Sequence, residues 1–401
     1  MKYILLVPDG AADEPLEVLD GKTPLQAART PNLSRMAERG FTGSVQVTPL
    51  EMYPGSDAAN MALLGYNPAE YYTGRGPIEA AAMQIPMEQR DVAFRCSLVS
   101  TDCERLTDYS SGHITTEEAR PLVELADQKL GVSWRRLFPG VSYRNILRWS
   151  DGPTELETFA PHESVGTALD DIWPRGDQED KVRSWIEDSI NLLDGVAFNR
   201  NRRSEGKPPA NMLWPWSPGR MPHLPPFTSL RGVTGAAVSG VDVARGLARL
   251  TGLEVIDVPG ATGYFDTDYA AKGRAAAQAL QRHDFVWIHV ESPDEAGHAG
   301  DVDEKIRAIE NFDRLTIGLL LAGISESADY RILCVPDHPT PIATRRHARG
   351  PVPYLLYDSR EMLRGAGRAP FDERALDDVS RLQPEGWRLM DELFSAPRGP
   401  A

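Results

Sequence analysis

Short apolar runs recur along the chain, and polar turn residues follow each of them. Tyr3 to Val7 is apolar throughout and ends in Pro8-Asp9-Gly10. A run without alternation is the pattern of a strand covered on both faces. Gly235 to Val238, Leu253 to Ile256, Asp284 to Val290 and Tyr330 to Val335 repeat the theme. Between them lie helical periods. Thr30-Pro31-Asn32 opens one that runs to Glu38, with Thr30 as cap, Pro31 at the first position and Gly40 as the stop. Others cover Asp57 to Leu64, Asp242 to Leu250, Lys272 to Arg282 and Asp301 to Leu321. Strand and helix alternate, which predicts an α/β fold: a mostly parallel sheet with helices on both faces.

From about residue 85 the texture changes. Val92 to Val99 alternates like a half-covered strand, 115–130 has helical spacing, and Val141 to Trp149 predicts another strand. Residues 150–180 are rich in Asp, Pro and Gly. A basic cluster, Asn199 to Lys207, precedes a Pro- and Trp-rich run from Pro208 to Phe227. The pattern predicts a smaller α/β domain, 85–228, inserted into a larger one made of 1–84 and 229–401.

Composition narrows the partners. The 401 residues fit two domains. Lys plus Arg number 43 against 58 Asp plus Glu, a formal charge of −15, which argues against nucleic acid or an anionic membrane as the main partner. A small anionic substrate is compatible, because bound metal ions and local arginines invert the field within one cleft. Three cysteines suit a reducing compartment rather than a disulfide scaffold. No apolar stretch approaches ~20 residues, so the expectation is a cytoplasmic protein that does not span a membrane.

Candidate chemistry gathers where the apolar runs stop. In open α/β sheets the ligand cleft lies beyond the carboxyl ends of the strands. Asp9 stands there, as do Asp294 with His298 and Asp337 with His338; His347 follows nine residues after His338. Asp294 and His298 are four apart, which a helical turn brings onto one face. Carboxylate with imidazole is a good divalent-metal pair. Ser56, after Pro54-Gly55, opens a helix; there it is either an N-cap or a hydroxyl held where backbone N–H groups favour a phosphoryl group. His283 and His289 sit beside or within a strand and are assigned structural roles. Arg75, in the Gly-rich loop Tyr72 to Pro77, is a candidate phosphate binder.

As an ordered set, these motifs resemble the alkaline phosphatase superfamily and, within it, the cofactor-independent phosphoglycerate mutases of the archaeal type. The resemblance rests on Val7-Pro8-Asp9-Gly10, Pro54-Gly55-Ser56-Asp57, Tyr72-Thr73-Gly74-Arg75-Gly76-Pro77, Asp108-Tyr109-Ser110-Ser111-Gly112-His113, Pro259-Gly260-Ala261-Thr262-Gly263-Tyr264, Asp294-Glu295-Ala296-Gly297-His298 and Pro336-Asp337-His338. It covers nearly the whole length.

The resemblance implies two divalent ions, Mn²⁺ foremost, with Zn²⁺, Co²⁺ or Mg²⁺ as alternatives. One would be held by Asp294, His298 and His347, the other by Asp9, Ser56, Asp337 and His338. It implies Ser56 as nucleophile and carrier of a phosphoserine, His113 as the proton-transferring group, and Arg75, Arg200, Arg202 and Lys272 as substrate contacts. The reaction would interconvert 2- and 3-phosphoglycerate in glycolysis and gluconeogenesis. The partner is then a small phosphorylated molecule, and a homo-oligomer is compatible with it. The alternative is a related phosphotransferase, homoserine-kinase-like, or a phosphatase using the same metal and serine site. The chain holds no Gly-x-x-x-x-Gly-Lys-Ser/Thr loop, which counts against a nucleotide substrate.

Overall fold

A computed structural model describes residues 1–325 and 328–395. The chain divides into two compact units, Met1–Tyr72 with His223–Ala401, and Thr73–Pro222. The division therefore falls at Tyr72/Thr73 and Pro222/His223 rather than at 84/85 and 228/229. The physical reason is the helix Arg75–Ala82. Its Gly76 lies so close to the Ala93 carbonyl that a Cβ would sit 2.2 Å away, and its Glu79 bonds to Arg95. Both ties are to strand Asp91–Thr101, so the helix belongs with the second unit.

The first unit is built on an eight-stranded sheet. Across it run Glu254–Val255, Gly235–Val238, Phe285–Val290, Lys2–Pro8, Tyr330–Cys334, Val352–Asp358, Phe41–Val45 and Leu382–Gln383. The strands from Glu254 to Cys334 pair in parallel, while Val352–Asp358 runs against both neighbours. Ile4 to Val7, Phe285 to Ile288 and Ile332 to Cys334 are all fully buried, as their unbroken apolar runs require. Register sets Val7 opposite His289, so the first strand and its neighbour end level. The sequence pattern passes over Phe41–Val45 and Val352–Asp358. One is short and carries Gly43, and the other carries Pro353; both features depress a strand signal.

The expected helix Asp301 to Leu321 is present in three continuous pieces, Val302–Asn311, a π-helical Phe312–Ile317 and Gly318–Gly323. Asp313 within it caps a different helix. Thr30 occupies the cap position of Pro31–Arg39, but its side chain makes no capping bond. Instead Asn32 N donates to Asp313 Oδ2 at 3.1 Å and Leu33 N donates to Oδ1 at 2.8 Å. A carboxylate from across the fold thus satisfies the free N–H groups.

In the second unit, strand Asp91–Thr101 is central and antiparallel to Arg144–Ser150, Met212–Arg220 and Leu106–Asp108. Helices Thr116–Leu130 and Glu179–Leu193 bury apolar faces against a core holding Phe94, Leu98, Val123, Trp149, Trp185, Ile186 and Trp214. Among the described residues no helix is long and apolar enough to cross a membrane.

Candidate active site

Asp9, Asp294 and the pair Asp337 with His338 follow closely on the strands Lys2–Pro8, Phe285–Val290 and Tyr330–Cys334. Asp9 follows Lys2–Pro8 and is fully buried. Gly10 then takes φ +60°, and a Cβ there would sit 2.5 Å from Asp294 Oδ1. Only glycine lets this turn pack against that carboxylate. The Gly10 N–H donates to Asp337 Oδ1 at 3.1 Å, tying two strand ends together.

Ser56 is the first residue of helix Ser56–Leu63, and Gly55 holds the cap position. No side-chain cap bond is made there. Its Oγ instead lies 3.2 Å from His338 Nε2. The helix is buried along its whole length, and one turn on, Asn60 Nδ2 donates both to the Ser56 carbonyl at 2.9 Å and to Asp337 Oδ2 at 3.0 Å. Asp57 is held by the Tyr72 hydroxyl at 2.6 Å.

Helix Ser292–Ala299 brings Asp294 and His298 onto one face, with His298 Nε2 3.1 Å from Asp294 Oδ2. His298 Nδ1 lies 3.0 Å from the Arg345 carbonyl, which can only accept, so Nδ1 carries hydrogen. His347 folds back to the same place: its Nε2 is 3.0 Å from His298 Nε2 and 3.5 Å from Asp294 Oδ1. Asp294 Oδ1 also accepts from Thr340 Oγ1 at 2.5 Å. His338 stacks on His347, ring centroids 3.9 Å apart, and its Nε2 is 3.5 Å from both Asp9 Oδ1 and Asp337 Oδ2.

The electrostatics have a cationic deficit. Among the described residues, the ion pairs of Asp9, Glu291, Asp294 and Asp337 are all with histidines. Burial, and after it Asp337, Glu291 and Asp294, push the Asp9 carboxyl well above its ordinary range. Burial and Asp294 push Glu291 up to about 8. Burial pulls His338 down to about 4, against the attraction of Asp337. At the other end, His347 and His298 outweigh burial and hold Asp294 well below the usual carboxylate range, while Asp294 lifts His298 to about 9 against its own burial. Asp9 Oδ1 and His347 Nδ1 are buried without a hydrogen-bond partner. Asp294, His298 and His347 offer atoms close enough for one ion, as do Asp9, Asp294 and His338, and Asp9, His289 and Asp337. Buried like charges with spare donor atoms fit a divalent cation.

Other expected residues stand differently. Lys272 is fully buried, its Nζ 3.3 Å from the Thr262 carbonyl and 3.4 Å from that of His289, and burial lowers it to about 8. His113 is exposed at φ +51°, edge-on to Tyr109. Arg200 and Arg202, expected as substrate contacts, bond to groups of the chain itself. Arg200 is exposed and bonds the Gly195 carbonyl. Arg202 is buried and spends its nitrogens on the carbonyls of Pro208 and Ser111 and on Glu118.

Arginines do converge elsewhere in the second unit. Arg75 bonds Glu79 at 2.7 Å, Arg95 bonds the same oxygen, and Arg144 adds its charge to the group. Arg75 and Arg95 both lie over the Trp216 ring, and Arg144 lies over Tyr143. His162 packs against Trp216 and Tyr109. Three guanidiniums gathered at one carboxylate form a cluster that suits a bound anion. Arg95 escaped the sequence analysis because it occupies a polar slot of an alternating strand, where solvent is the default. Glu291 escaped it too, and His289 is assigned only a structural role there; the signal of both is position, at the end of a strand that leads into a ligand pair.

The family profile described as 2,3-bisphosphoglycerate-independent phosphoglycerate mutase matches residues 37–199. A Geobacter sulfurreducens protein named as a probable enzyme of that kind is 43% identical over 398 residues, 98% of this chain and 100% of its own. One from Methanothermobacter thermautotrophicus, named 2,3-bisphosphoglycerate-independent phosphoglycerate mutase 2, is 48% identical over 89% of this chain and 88% of its own. Among solved structures, the cofactor-independent phosphoglycerate mutase of Thermoplasma acidophilum superposes with a TM-score of 0.62 at 29% identity, covering 98% of this chain and 99% of that one. A Pyrococcus horikoshii protein reaches 0.81 at 28% identity, covering 100% and 99%. Identity of this extent, over nearly all of both chains, means that this chain belongs to the 2,3-bisphosphoglycerate-independent phosphoglycerate mutase family.

Proposed function

We propose that this protein interconverts 2- and 3-phosphoglycerate through a phosphoserine on Ser56, with no bisphosphoglycerate cofactor. The observation that carries the reading is the Ser56 hydroxyl: it heads a buried helix, takes no part in capping it, and lies 3.2 Å from His338 Nε2 among the ligand carboxylates. Two divalent ions, Mn²⁺ by preference, fit the donor set: Asp294, His298 and His347 for one, Asp9, Ser56, Asp337 and His338 for the other. Such ions neutralise phosphoryl oxygens and lower the pKa of a serine hydroxyl.

The chain's own residues do the rest. Ser56 Oγ attacks phosphorus, the bond from phosphorus to the glycerate oxygen breaks, and that oxygen takes up a proton. The neighbouring glycerate hydroxyl then attacks phosphoserine and gives up its proton, with Ser56 as the leaving group. His113 is assigned the movement of the proton between the two hydroxyls. Backbone N–H groups at the start of helix Ser56–Leu63 face the transferring group. Asn60 holds Asp337 and the Ser56 carbonyl in one geometry. The guanidiniums of Arg75, Arg95 and Arg144 suit the carboxylate and phosphate of the substrate, and Lys272 supplies a further buried cation. A glycolytic role places the protein in the cytoplasm.

The test is turnover of 3-phosphoglycerate in a coupled assay, with Mn²⁺ or EDTA and without bisphosphoglycerate. The expected result is metal-dependent 2-phosphoglycerate formation. Release of free phosphate, or turnover only with a nucleotide, would overturn it in favour of a phosphatase or a kinase-like phosphotransferase.

A further inference from the structure

Behind the ligand edge, a line of hydrogen bonds runs into Asp9 from the neighbouring strands. Ser239 follows strand Gly235–Val238, and its Oγ accepts from the Val241 N–H at 3.1 Å. The same oxygen lies 3.4 Å from His289 Nδ1. His289 is buried within strand Phe285–Val290, and its Nε2 lies 2.8 Å from Asp9 Oδ2. The direction of the line follows from donor chemistry. As a ligand to a metal ion Asp9 is an ionised carboxylate, which only accepts, so Nε2 carries the hydrogen at that end. A neutral ring then has its lone pair at Nδ1, and the Ser239 hydroxyl is the donor that fills it. Asp9 Oδ2 is thereby occupied. Asp9 Oδ1 is left buried without a partner, on the side where His338 Nε2 lies 3.5 Å away.

We propose that His289 is a positioning residue for the Asp9–Asp337–His338 ion: its Nε2–H engages Asp9 Oδ2 and so turns Oδ1 toward the other ligands. His289, with both nitrogens engaged, orients a ligand and is not one itself. Ser239 fixes the tautomer that makes this possible. Partners of this kind set ligand direction and basicity, and removing one typically costs 10- to 100-fold in metal affinity. The inference rests on the two-ion reading of the site.

The experiment is equilibrium dialysis of Mn²⁺ against the full-length, chelator-stripped chain and three variants, with thermal unfolding as the check on folding. Wild type should hold two ions per chain. His289→Leu should weaken one of them by about 10- to 100-fold and leave the other unchanged. His289→Gln places an amide N–H near the position of Nε2 and should restore most of the affinity. Ser239→Ala should weaken the same ion by only about two- to tenfold. Two ions bound to His289→Leu at wild-type affinity would overturn the proposal. So would a His289→Gln chain as weak as His289→Leu, which would make the ring itself the ligand. Should His289→Leu fail to fold, unchanged binding by Ser239→Ala would overturn it. Fewer than two ions on wild type would instead overturn the two-ion reading beneath it.

Discussion

In the first unit Asp9, Glu291, Asp294 and Asp337 are drawn in among histidines, whereas in the second Arg75, Arg95 and Arg144 crowd round a single carboxylate, Glu79. The first arrangement gathers negative charge, and the second gathers positive. Like charges gathered at one place are costly, so each cluster suits a ligand of opposite sign. Cations suit the carboxylate–histidine edge, and an anionic substrate suits the guanidinium cluster. A phosphoglycerate mutase needs both.

The comparison breaks most sharply at the nucleophile. Ser56→Ala should lower kcat by about four orders of magnitude or more while leaving thermal unfolding and the guanidinium cluster intact; steady-state kinetics on the folded variant checks this. Next in size, Asp294→Asn should cost about 10²- to 10³-fold in kcat/KM and reduce the Mn²⁺ bound per chain, because it removes the carboxylate that pairs with both His298 and His347. Metal analysis beside the assay separates it from simple misfolding. The second unit should answer differently. Arg144→Met should raise KM by about 10- to 100-fold and leave bound metal unchanged. A loss of metal on Arg144→Met would show that the two chemistries are not separate.

Two smaller effects sharpen the contrast in stability. Arg202→Met removes the bonds to Ser111, Pro208 and Glu118 and should cost on the order of 3 kcal/mol in urea unfolding, with little change in KM. The second effect depends on pH. Burial outweighs the bonds from Thr23 and the Asp13 N–H and lifts Glu373 from 4.5 to about 7. The folded chain then keeps a proton that the unfolded chain has released, so stability falls as pH rises from about 4.5 to about 7, by up to ~3 kcal/mol. Glu79 has the opposite sign. Burial pushes it up, but Arg95 and Arg75 prevail and its pKa is lowered. Its contribution is present above its ordinary value and is lost as pH falls through the folded value. Unfolding midpoints across pH should therefore flatten on the neutral side for Glu373→Gln and on the acid side for Glu79→Gln.

The two regions also differ in how far the chain alone disclosed them. Asp9, Asp294, His298, Asp337 and His338 were legible because parallel strands covered on both faces are unbroken apolar runs. Whatever stands at their carboxyl ends is therefore marked. His347 needed the loop after His338 to fold back to the same edge, which the nine-residue spacing allows. The guanidinium cluster was not legible. Arg75 comes from a helix, Arg95 from the middle of an alternating strand and Arg144 from the start of another, and only antiparallel pairing brings them together. Arg200 and Arg202 are the converse case. A run of basic residues in sequence is conspicuous, yet here its members turn to nearby carbonyls. His289 was taken as structural, and its tie to Asp9 depends on a register that no local pattern encodes.

The central claim is that Ser56 carries the phosphoryl group between the two glycerate positions. Acid quenching of the Mn²⁺-loaded enzyme with 3-phosphoglycerate, followed by peptide mass spectrometry, tests it most directly. The account predicts phosphate on the peptide containing Ser56, absent in Ser56→Ala and absent after chelation. Turnover to 2-phosphoglycerate with no phosphoenzyme, or with phosphate on another residue, would contradict it.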